Sequence, residues 1–177
     1  MLFYLLFIAG FIALLLFIST KIRNAANAAY EPEKIERGDF QIFKPEGYLN
    51  PVEWTETVPF EAYTRELGER TMGRLRKSAA KMMVSDGLNF DNLRKEIKAN
   101  AEEFVSTVFD ANAPEGGRIC LIETKKTDNE ITTVFFNKLI ESRKLKKTFD
   151  IEISILEPYR DEFEERINQM LDSFKLN

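Results

Sequence analysis

From Leu2 to Thr20 the chain carries no charged side chain, and Tyr4, Ser19 and Thr20 are its only polar ones. The apolar positions are Leu2, Phe3, Leu5, Leu6, Phe7, Ile8, Phe11, Ile12, Leu14, Leu15, Leu16, Phe17 and Ile18, with Tyr4 near the start and Gly10 mid-run. As a helix rising 1.5 Å per residue, nineteen residues span roughly 28 Å, close to the ~30 Å hydrocarbon core of a bilayer. The pattern predicts a single-pass transmembrane helix over residues 1–23. A cleaved signal peptide fits less well: Ala26-Asn27-Ala28 resembles a cleavage site, but the run is long and nothing basic precedes it. Lys21 and Arg23 follow the run. Cations beside a span stay in the cytoplasm, which places the N-terminus outside and the C-terminal domain in the cytoplasm, on a cell or inner membrane.

Beyond it the pattern turns amphipathic. Residues 24–39 read as a juxtamembrane linker broken by Pro32, and 40–177 as one mixed domain. "FQIF" (40–43) is a short strand candidate. A long helix is expected over 59–84, with Leu67, Leu75, Ala79 and Met82 as its apolar face despite Gly68 and Gly73. A second long helix is expected over 90–111 from Phe90, Leu93, Ile97, Phe104, Val105 and Val108. The last third reads as β-α-β-α. A strand at 118–124 is followed by a helix at 128–145 capped by Asp128, an alternating strand at 148–156, and a final helix after Pro158. In the second strand Phe149, Ile151, Ile153 and Ile155 face inward, and Asp150, Glu152 and Ser154 outward. That last helix carries Phe163, Ile167, Met170, Leu171 and Phe174 on one stripe. The expected fold class is therefore α/β, with mixed α+β as the variant, around a small two- or three-stranded sheet with a parallel crossover.

Composition narrows the chemistry. The chain has 177 residues, a net charge of −4, one cysteine and no histidine. About 155 residues beyond the leading run are enough for one domain with a full core. The absence of histidine removes His-based acid–base catalysis, Ser-His-Asp and Cys-His pairs and His-ligated metals. Cys120 has no internal disulfide partner and sits in an apolar run, as a buried, inert thiol would. No cofactor motif is present, and the net acidity gives no case for nucleic acid.

Three groups of residues stand out. Arg70, Arg74, Lys77 and Lys81 would share one face of the first predicted helix and could meet an anionic surface. A second basic cluster is Arg143, Lys144, Lys146 and Lys147, where a helix C-terminus is the simpler reading. Glu123, Lys125, Lys126, Asp128, Glu157 and Arg160 follow the two strands, where open α/β sheets bind ligands. Tyr48 and Trp54 lie in a proline-rich stretch, 44–59, that would pack on the body or dock a partner. No nucleophile–base pair accompanies any of these. The expectation is a membrane-anchored, non-enzymatic accessory or scaffold protein that contacts a protein partner or its own kind. A tethered ligand-binding or enzymatic domain using the carboxylate–lysine set is the first alternative. An outward-facing envelope domain is the second.

Overall fold

The computed structural model describes residues 2–51, 55, 58–67, 75–113 and 117–177. Helix α1 (Leu2–Ala28) leads into β1 (Glu33–Arg37), β2 (Phe40–Lys44), β3 (Phe60–Tyr63) and β4 (Ser78–Asp86). Helix α2 (Phe90–Asn100) follows, then β5 (Glu103–Ala113), β6 (Gly117–Asp128), β7 (Ile131–Ser142) and β8 (Lys147–Leu156). A single 3-10 turn (Glu157–Tyr159), α3 (Arg160–Ser173) and β9 (Lys175–Leu176) complete the chain. The strands form a six-stranded sheet in the order β3-β4-β8-β7-β6-β5 and a three-stranded sheet in the order β1-β2-β9. Every pairing in both sheets is antiparallel. The class is mixed α+β.

This corrects the expected β-α-β-α unit and its parallel crossover. The predicted helix at 128–145 is strand β7. Asn129 and Glu130 both take positive φ (48° and 67°) between the paired residues Asp128 and Ile131. They make a two-residue hairpin loop whose twist matches the flanking strands. The β-branched and aromatic run "ITTVFF" then pairs on both sides, with β6 and β8. The predicted helix at 59–84 is also absent among the described residues. Phe60 and Ala62 of β3, and Ser78, Ala80 and Met82 of β4, are buried and alternate with half-buried neighbours, the period of a strand. Between these strands, residues 68–74 lie outside the described residues. The helix at 90–111 stops at Asn100, because Ala101 is extended (φ −78°, ψ 136°) and "EFVSTVF" pairs as β5. Strands β6 and β8 and helix α3 do occupy the stretches where strands and a helix were expected.

Helix α1 runs for 27 residues. Among the described residues, however, no helix is long and apolar enough to cross a membrane. The expected single-pass span is corrected accordingly. So is the cytoplasmic placement drawn from Lys21 and Arg23. The C-terminal end of α1 is tied to the body: the buried Lys44 donates through Nζ to Ala29 O (3.0 Å), and Gly47 N donates to Tyr30 O (2.9 Å). Within the stretch read as a linker, Glu33–Arg37 form β1.

The main core lies on one face of the six-stranded sheet. Phe149, Ile151, Ile153 and Ile155 of β8 meet Phe163, Ile167, Met170 and Leu171 of α3, with Phe40 and Ile42 of β2 closing one end. Lys138 Nζ reaches Leu171 O (2.5 Å) and satisfies a carbonyl at the α3 C-terminus. Tyr48 is fully buried there: its ring meets Phe163 edge-on and its hydroxyl lies 2.7 Å from Ser78 Oγ. Trp54 lies outside the described residues.

Candidate functional site

Among the described residues, the opposite face of the large sheet is covered only in part. Helix α2 lies over β5, β6 and β7, where Phe90, Leu93 and Ile97 pack on Cys120, Ile122 and Leu139. Its start is fixed to β8: Asn89 N donates to Thr148 Oγ1, which donates to Gly87 O (both 3.1 Å). Arg118 fastens the same end. It makes two hydrogen bonds to the buried Glu141 (3.0 and 2.7 Å), one to Asp91 of α2 (2.9 Å), and lies over the Phe90 ring. These two carboxylates raise the Arg118 pKa, and Arg118 in turn lowers that of Asp91.

Where α2 stops covering the sheet, a cavity of about 300 Å³ opens between the helix edge and β4, β8, β7 and β6. Met83, Leu93, Ile97 and Phe135 line it with apolar surface, and Glu96, Thr124, Lys126, Asn137, Asp150 and Glu152 supply polar groups. Strand register assembles this set. Met83 and Leu139 sit opposite Asp150, and Lys81 and Asn137 opposite Glu152. Asp150 is only 4% exposed. Among the described residues its carboxylate accepts one hydrogen bond, from Asn137 Nδ2 (3.2 Å), and Asn137 is itself buried. Burial pushes the Asp150 carboxyl up from 3.8 to about 6. The Asn137 hydrogen bond and Lys81 work against that rise, whereas the negative charges of Glu152 and Glu96 add to it. Lys81 is held at 2.9 Å by Glu152, and Lys125 directs its ammonium to Glu157 (2.5 Å).

The residues singled out from sequence are distributed differently. Glu123, Lys125, Glu157 and Arg160 do come together, but as ion pairs: Arg160–Glu123 at 2.8 Å and Lys125–Glu157 at 2.5 Å. Lys126 lines the cavity, and Asp128 ends β6 beside the hairpin loop. Arg70 and Arg74 lie outside the described residues. Lys77 pairs with Glu162 of α3 (3.0 Å) and Lys81 with Glu152 of β8, so these two ammonium groups serve different elements. In the second basic cluster, Lys147 pairs with Asp39 at 2.5 Å, which raises its pKa. Cys120 is buried under α2, and burial raises its thiol pKa. Asp150, Asn137, Thr124 and Glu96 were not legible as a group in the sequence. The available signal was a polar row on β8 alternating with isoleucines, which reads equally well as a solvated face.

No protein-family profile and no curated protein sequence matches the chain. Solved structures match its fold. The Ran-binding protein Mog1p of Saccharomyces cerevisiae aligns with a TM-score of 0.53 at 11% identity, over 83% of this chain and 96% of that one. PsbP of the cyanobacterium Synechocystis aligns at 0.52 and 10% identity, over 84% and 94%. LpqN of Mycobacterium tuberculosis, described as involved in cell envelope biogenesis, aligns at 0.52 and 9% identity, over 83% and 91%. At these identities the likeness is one of fold, and that one fold carries proteins with different descriptions.

Proposed function

We propose that this domain is a non-enzymatic binding module that contacts a protein partner through the partly uncovered sheet face beside α2. The observation that carries this reading is the cavity itself. Apolar walls from Met83, Leu93, Ile97 and Phe135 surround a buried carboxylate that accepts a hydrogen bond from Asn137. Concave apolar surface with a few convergent polar groups is the usual form of a binding site. Phe104 and Phe109 of β5 extend the partly exposed apolar surface past the far side of α2. A neighbour described as Ran-binding is consistent with protein recognition on this fold. A catalytic reading has one point in its favour, the Asp150 carboxyl near 6, which suits proton transfer.

The test is site-specific photocrosslinking in the native host. A benzophenone side chain at position 83 should give a discrete protein adduct, and the same group at Gln169, exposed on α3, should not. Equal labelling from both positions, or none from position 83, refutes the reading.

A further inference from the structure

We propose that the cavity beside α2 receives a lysine or arginine side chain of the partner, its aliphatic stem along the apolar walls and its cation against Asp150. This rests on the partner-binding reading and specifies its chemistry. The volume, about 300 Å³, stands at the lower limit of small-molecule pockets and suits a side chain better than a cofactor. Met83, Leu93, Ile97 and Phe135 provide an apolar lining for a run of methylenes, which basic side chains bury readily. The polar lining favours a cation. Three carboxyl groups contribute to it: Asp150 and Glu152 from β8 and Glu96 from α2. Facing them, Lys81 of β4 is already held by Glu152, Lys125 of β6 is drawn to Glu157, and Lys126 of β6 is exposed. Among the described residues, Asp150 is therefore a deeply buried acceptor with a single amide donor. An ammonium or guanidinium would supply the charge-assisted bond it lacks.

The experiment uses the full chain and four probes, followed by NMR of the Asp150 carboxyl carbon and by calorimetry. The probes are n-butylammonium, N-acetyl-lysine methylamide, agmatine and the neutral n-pentanol. The cations should bind and shift the Asp150 resonance, and n-pentanol should bind at least tenfold more weakly. Lowering the pH from 7.5 to 5 should weaken cation binding about tenfold as Asp150 takes a proton. D150N should lose at least tenfold in affinity, with its fold checked by circular dichroism. Equal binding of n-pentanol, or unchanged affinity in D150N, overturns the proposal. Binding of free amines but not of the lysine derivative also overturns it, since the occupant would then be a small amine. The two readings fail separately. A partner adduct at position 83 without probe binding leaves the binding module and removes the cation. Probe binding without an adduct removes the partner, and with it the proposal, and leaves only a site for a small cation.

Discussion

Replacing Asp150 by asparagine should stabilise the protein, and the gain should depend on pH. Asp150 is 4% exposed and its carboxyl rises from 3.8 to about 6, chiefly through burial. The folded state thus holds the proton more tightly than the unfolded chain does. Between about pH 4 and 6 the folded state binds more protons, so this group's contribution to stability improves as the pH falls. Above 6 the full penalty of keeping a buried carboxylate charged is present, and below 4 it is gone. A displacement of about two pKa units is worth roughly 3 kcal/mol. Asparagine keeps the shape and can still accept from Asn137 Nδ2 while removing the charge. D150N should therefore be more stable than the parent by up to about 3 kcal/mol at pH 7.5, or roughly 6–12 °C in Tm for a domain of this size. The difference should shrink through pH 6 and nearly vanish at pH 4. Urea denaturation of both proteins across that range measures it, and other carboxylates cancel in the comparison. No gain at pH 7.5, or a gain that persists unchanged at pH 4, refutes the reasoning.

Arg118→Met leaves Glu141, buried beside it, as an uncompensated carboxylate and should destabilise by about 3 kcal/mol in urea unfolding. Asp91→Asn, which removes only the exposed arm of that cluster, should change global stability little. Cys120 should react with a thiol reagent at a rate set by the opening of α2, so R118M should accelerate labelling and a stabilising ligand in the cavity should slow it. Lys44→Met removes the ammonium that binds Ala29 O, and faster proteolysis between residues 26 and 33, without loss of the sheet's slow-exchanging amides, should report the release of α1.

The fold was legible where one local signal dominated. The continuous apolar run of β6, the strict alternation of β8 and the four-residue stripe of α3 each admit one interpretation. Elsewhere two periods coexisted. Ala79 and Met82 fit a helix face, whereas Ser78, Ala80 and Met82 fit a strand; pairing with β3 and β8 decides for the strand. Good helix formers such as Ala, Met and Lys are only weak evidence once a strand has partners on both sides. The β6–β7 hairpin was hidden because Asn129-Glu130 lacks glycine, although both residues adopt positive φ. A polar residue at that bend resembled a helix cap.

The candidate site was illegible for a different reason: its burial is set by a neighbour distant in sequence. Thr148, Asp150, Glu152 and Ser154 form one polar row on β8, and the sequence gives no reason to distinguish them. In the structure, Thr148 is fully buried beneath the start of α2, Asp150 is buried at its edge, and Glu152 and Ser154 are only half-buried. The edge of a helix fastened by Arg118 and Asn89 therefore determines which of four alternate positions becomes a desolvated charge. A neutral residue at that edge would give a more stable fold, by the same calculation that predicts the gain in D150N. Stability forgone at one concave, apolar-walled position is the expected cost of a charge kept for recognition. If D150N is both more stable and deficient in binding an alkylammonium, the two effects have one cause: a carboxylate whose missing partner comes from outside the chain.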